Sequence, residues 1–68
     1  MESSRYPMFP KLITKIEEMG LTRKEVAESV GISKSKMTRI IYGEIELKLD
    51  LAIKIAERLE TNVNALFK

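Results

Sequence analysis

Residues 21–43, LTRKEVAESVGISKSKMTRIIYG, decide how this chain folds. Thr22 suits the N-cap of a helix, and Glu25 three residues later completes a capping box, each side chain accepting the other's backbone N–H. Leu21 before the cap and Val26 after the first turn are placed to form a hydrophobic staple. Val26, Ala27 and Val30 then line one face at helical spacing. Gly31 supplies the left-handed residue that ends the helix, since without a Cβ it meets no steric penalty there. Ile32 turns into the core. Ser33 caps a second helix whose inner face is Met37, Ile40 and Ile41, and Gly43 closes it.

Helix, glycine turn, helix is a helix-turn-helix pattern, and its charge is oddly placed. With Thr22 and Ser33 as caps, Arg23, Lys24, Lys34 and Lys36 all fall in first turns. The helix dipole disfavours cations there by roughly 0.3–1 kcal/mol each when exposed and unscreened. Salt reduces that penalty for a solvated lysine, so the charges alone decide little. Together with the helix-turn-helix spacing they point to two helix starts that face an anion. Residues 1–21 are neutral overall, residues 22–39 carry +3 and residues 40–68 carry −1. The excess positive charge of the chain, net +2, therefore sits in the helix-turn-helix, as phosphate binding requires.

Sixty-eight residues allow one domain, spanning 1–68, with one small core. The absence of cysteine and histidine excludes disulfides and the common zinc sites. No apolar run approaches the roughly 20 residues of a membrane span, and no signal peptide is visible. The expectation is a cytoplasmic protein with no cofactor, no membrane contact and no evident small-molecule substrate. An enzyme is not expected either. Its chemistry would need a carboxylate pair or a serine–lysine set in a pocket, and helix packing claims the apolar residues that would wall one.

Before the helix-turn-helix, residues 1–8 read as a loose N-terminal arm, polar over 1–5. Tyr6 and Met8 are expected to pack over the edge of the core rather than to reach for DNA. Pro10 suits the first turn of a helix, with Phe9, Leu12, Ile13, Ile16 and Met19 on one face and Gly20 ending it. After Gly43 comes a loop in which Ile45 and Leu47 alternate with Glu44 and Glu46. Asp50 suits the start of a fourth helix, whose stripe is Leu49, Ala52, Ile53, Ala56 and Leu59, widened by Leu51 and Ile55. Asn62 caps a last short turn carrying Val63, Leu66 and Phe67. The count is five helices in an all-α fold, with no strand and no internal repeat.

On Leu21-Thr22, Glu25-Val26-Ala27, Gly31-Ile32-Ser33, Ser35, Arg39-Ile40, Gly43, Leu49, Lys54-Ile55-Ala56, Leu59 and Leu66-Phe67, the sequence resembles the phage-repressor and Cro-like (XRE-type, lambda-repressor-like) helix-turn-helix family. The likeness runs without gaps from about residue 21 to 67. It implies a compact five-helix lambda-repressor-like domain with the helix-turn-helix at helices 2 and 3. Its implied activity is that of a sequence-specific transcriptional regulator of phage or bacterial repressor type. The second motif helix would lie in the major groove of double-stranded DNA, its early residues on base edges.

Carried over by position, Lys34, Ser35 and Arg39 are the base readers. Lys34 and Arg39 suit guanine O6/N7, and Ser35 suits almost any base. Arg23 falls where the family commonly has a phosphate-binding glutamine. Lys24 and Lys36 are flexible point charges for phosphate, Ser33 is the cap beside them, Thr38 points outward and Tyr42 can offer a hydroxyl. The chain departs from the family after Gly43, where Glu44 and Glu46 replace basic or amide residues, and Leu47 and Lys48 replace the usual proline and cap. The resemblance also implies a homodimer, with Ile45, Leu47, Val63, Asn64 and Phe67 as candidate contacts, although Val63 and Phe67 serve a monomer core equally well. The alternative function is a protein-interaction module on the same scaffold, antitoxin-like or antirepressor-like, using the acidic loop with Ile45 and Leu47.

Overall fold

A computed structural model describes residues 6–67. Five helices follow one another: α1 (Pro10–Glu18), α2 (Arg23–Ser29), α3 (Lys34–Ile41), α4 (Leu49–Arg58) and α5 (Val63–Phe67). No strand occurs among the described residues, and the all-α, five-helix expectation holds.

The helix starts are set by the residues the sequence marks. Pro10 occupies the first turn of α1, with Phe9 in a non-helical conformation before it, as a residue preceding proline must be. Thr22 and Glu25 form the reciprocal capping box at α2: the Glu25 N–H donates to Thr22 Oγ1 at 3.1 Å and the Thr22 N–H donates to Glu25 Oε1 at 2.8 Å. Ser33 Oγ accepts from the Lys36 N–H at 3.0 Å at the start of α3. Asn62 Oδ1 accepts from the Ala65 N–H at 2.9 Å at α5. Asp50 lies in the first turn of α4 and accepts from the Leu51 N–H.

The helix ends share one construction. In α1 to α4 the N–H two residues past the C-cap reaches back to a carbonyl in the last turn: Leu21 to Ile16 at 3.1 Å, Ile32 to Ala27 at 2.9 Å, Glu44 to Arg39 at 2.8 Å and Thr61 to Ala56 at 2.9 Å. The residue between must be left-handed for this bond to close. Three of the four are glycines, and the fourth is Glu60 at φ 58°. Nothing in the sequence marks Glu60 for this. The contacts of Leu59, wholly buried before it, hold the turn in place.

Inside, the core is apolar throughout. Leu12 and Ile16 of α1, Val26 and Ala27 of α2, Met37, Ile40 and Ile41 of α3, Ala52, Ile55 and Ala56 of α4, with Leu59 and Leu66, are buried, and no polar or charged residue is buried among the described residues. Packing runs α2 on α3, α1 on α5, and α4 on both α5 and α2. Phe9 meets Phe67 edge-to-face, ring centroids 5.0 Å apart at 89°, a favoured aromatic geometry. Leu47, Val63 and Phe67 pack against the core. Of the five expected dimer contacts these three are thus at least partly taken up within one chain.

Two expectations need correction. Leu49 and Ile53 were to lie in the α4 stripe, yet they are 68% and 41% exposed. The apolar residues of α4 extend over more than one side, while five short helices supply a core for only one; Ala52, Ile55, Ala56 and Leu59 fill it. The loose arm, within its described part 6–8, is tied down at one end. The Met8 and Phe9 N–H groups both donate to Ile41 O, at 2.7 and 3.3 Å. Met8 also covers Gly43, where a Cβ would come within 2.5 Å of its terminal methyl. Tyr6 remains 86% exposed, so packing over the core edge is not what its side chain does. The expectation for residues 1–5 lies outside the described residues.

Glu60→Gly should stabilise the fold, because a left-handed L-residue costs roughly 1–2 kcal/mol and glycine returns part of that as unfolded-state entropy. A gain of about 0.5–1 kcal/mol is expected, read as a rise of a few degrees in Tm. Gly31→Ala should lower Tm by a comparable amount.

Candidate nucleic-acid interface

With Met37, Ile40 and Ile41 buried, helical geometry sends Lys34, Ser35, Thr38 and Arg39 to the opposite side of α3. These four line one shallow depression along the outer face of the helix. Lys34, Ser35 and Arg39 are exposed and Thr38 is half-buried. A second depression adjoins the first and is lined by Thr22, Arg23, Lys24 and Lys34. Here the starts of α2 and α3 come together, and Lys34 borders both hollows. The turn through Gly31, at φ 83°, is what brings the two helix starts side by side.

Arg23 is half-buried. It also borders a groove with Ile13, Ile16, Glu17 and Leu21, so its stem runs along apolar surface between α1 and α2, as long cationic side chains do. Lys24 is exposed at the second position of α2. The capping box engages the Thr22 and Glu25 N–H groups. The Arg23 and Lys24 N–H groups belong to the first turn, where no carbonyl four residues back is available to a helix. Ser33 is exposed and acts as a cap. Its hydroxyl fixes the start of α3 from which Lys34 and Ser35 project.

Two of the sequence-derived residues lie apart from this surface. Lys36 is on the flank of α3 and shares a depression with Glu46, Lys48, Asp50 and Lys54, where acids temper its charge. Tyr42 caps the far end of α3 and packs partly against the core. One residue not expected there joins the outer face: Glu44 lines the same depression as Lys34, Ser35, Thr38 and Arg39. The sequence marks Glu44 as an acid after the closing glycine; the backbone bond from its N–H to Arg39 O folds that acid back beside the helix.

No helix among the described residues is long and apolar enough to cross a membrane. The arrangement is a helix-turn-helix with a mostly cationic outer face, the form of a DNA-binding domain. A family model described as helix-turn-helix matches residues 12–66. The chain belongs to this XRE-type, lambda-repressor- and Cro-like helix-turn-helix family, a family of DNA-binding regulators and not typically of enzymes. Searches of curated proteins and of solved structures returned no match.

The same geometry sets stability against binding. Lys34→Glu places an acid in the first turn of α3, where the dipole favours it by about 0.3–1 kcal/mol at low ionic strength. Thermal melts at low salt should show Lys34→Glu at least as stable as the parent, and the difference should fade as salt is added.

Proposed function

We propose that this chain is a sequence-specific repressor of phage or bacterial type, acting as a homodimer on double-stranded DNA. The reading rests above all on the two adjoining hollows that meet at Lys34. One joins the cationic starts of α2 and α3, and the other runs along the outward face of α3. In this reading α3 enters the major groove and Lys34, Ser35 and Arg39 meet base edges, with Thr38 against a backbone or thymine methyl. Arg23 and Lys24, with the first-turn N–H groups of α2, hold a phosphate. Ser33 supports the clamp as a cap, while Lys36 and Tyr42 contribute at its edges. Repression follows from occupancy: a protein seated in the groove denies that stretch to polymerase or to a competing activator. A DNA-bound role of this kind implies a cytoplasmic location.

A salt series on labelled duplexes tests the reading. Affinity should fall linearly on a log–log plot, with a slope of about −0.9 per phosphate contact. Arg23→Ala should weaken all sequences alike and reduce the slope magnitude by about 1, whereas Arg39→Ala should relax preference at one base pair, costing about 1–3 kcal/mol. An Arg23→Ala variant that changed preference and kept its slope would reverse these roles. No binding even to random duplex at low salt would remove the regulator reading and leave the protein-interaction one.

The homodimer has its own support. One eight-residue recognition helix covers only a short run of bases, and two-fold pairs of such domains read half-sites about one helical turn apart. Leu49 and Ile53, four residues apart on α4, form an exposed apolar strip that can pair with its counterpart about a two-fold axis. Sedimentation should show a concentration-dependent dimer for the parent. Ile53→Asp should be a monomer with Tm nearly unchanged, because that side chain is already 41% exposed. Unaltered dimerisation would rule the strip out.

A further inference from the structure

Resting on the DNA-binding reading just given, we infer that Glu44 is a specificity-determining residue, accepting a hydrogen bond from the N4 amino group of a cytosine in the major groove. The outer hollow of α3 is lined by Lys34, Ser35, Thr38, Arg39 and Glu44. Lysine and arginine only donate hydrogen bonds, and the two hydroxyls do either. Glu44 is the sole ionised acceptor on that surface.

Its position is set by backbone rather than by chance of side-chain conformation. Gly43 at φ 73° turns the chain, and the Glu44 N–H donates to Arg39 O at 2.8 Å. The carboxylate is therefore carried one helical turn beyond Arg39 on an anchored stretch of main chain, not on a free loop. An acid there repels phosphate and lowers affinity for DNA of any sequence. A favourable contact for it in the groove must come from a base donor.

The major groove offers two amino donors, adenine N6 and cytosine N4. Adenine presents the N7 acceptor beside its amino group, which repels a carboxylate. Cytosine has no acceptor beside N4 on that edge. The complementary guanine presents O6 and N7 to the same groove, matching the donors of Arg39 and Lys34. Cations and carboxylate together thus fit a G·C pair, or two neighbouring ones, better than either charge alone.

Selection of duplexes from a random library with the parent chain, Glu44→Gln and Glu44→Ala tests this, with melts confirming that all three are folded. The parent should enrich cytosine at one position, discriminating roughly 5- to 150-fold against other bases there. Glu44→Ala should lose that preference while keeping the guanine set by Arg39, and should bind random duplex more tightly. Glu44→Gln should move the preference toward adenine, whose N6 and N7 an amide can meet together. If all three chains select the same sequence and the variants merely bind every duplex more tightly, Glu44 is only repulsive and the inference is wrong. A variant that loses the guanine instead would also overturn it, by making Glu44 a support for Arg39. A parent that enriches nothing, with bound random DNA at low salt, would sink this inference alone with sequence specificity; a parent that binds no DNA would sink the underlying reading.

Discussion

Ala27 is the hinge on which the molecule depends. Its methyl group is wholly buried, small enough to let α2 and α3 approach, and its carbonyl accepts the Ile32 N–H that closes the turn at 2.9 Å. A larger side chain there would wedge the helices apart, and overpacking a close contact commonly costs about 1–3 kcal/mol. Once that contact is fixed, Met37, Ile40 and Ile41 must face inward, and the opposite face of α3 is displayed. The same contact brings Arg23, Lys24 and Lys34 to one hollow. Packing and surface electrostatics are therefore set by a single local geometry.

That geometry concentrates cations where helix dipoles disfavour them. At α2 the conflict is softened, because Glu25 lies in the first turn and is held by the capping box. At α3 no acid occupies the first turn, and Lys34 stands at its first position. The two helices are thus unequal partners in any anion clamp. α2 carries its own counter-charge and a half-buried arginine, while α3 presents its lysine outright and gains most from a ligand's negative charge.

Much of this was legible because the signals were local. Thr22, Ser33 and Asn62 cap helices within three residues of themselves, and Gly20, Gly31 and Gly43 end helices through their own backbone conformation. Glu60 was not legible, since the left-handed turn there is enforced by buried Leu59 and by the Thr61 N–H, not by a permissive residue. Leu49 and Ile53 were misplaced for a related reason. Periodicity reports that a face is apolar, but whether something covers it depends on how many other helices compete for the same core. Leu47, Val63 and Phe67, weighed as contacts between chains, pack instead against the core of one. At the interface, helical spacing alone put Lys34, Ser35, Thr38 and Arg39 on one face. The place of Glu44 required the fold of the turn after α3, and Lys36 was separated from the others by α4 and its preceding loop.

The division of α3 into a dry side and a wet side has a consequence for how such a protein diversifies. No polar residue is buried among the described positions, so nothing in the interior depends on which side chains occupy the exterior of that helix. Positions 34, 35, 38 and 39 can be rewritten as a set without repacking a single interior methyl group. A scaffold so partitioned is free to drift toward new target sequences at little risk of misfolding, and its descendants would differ most where they meet the outside world and least where they meet themselves.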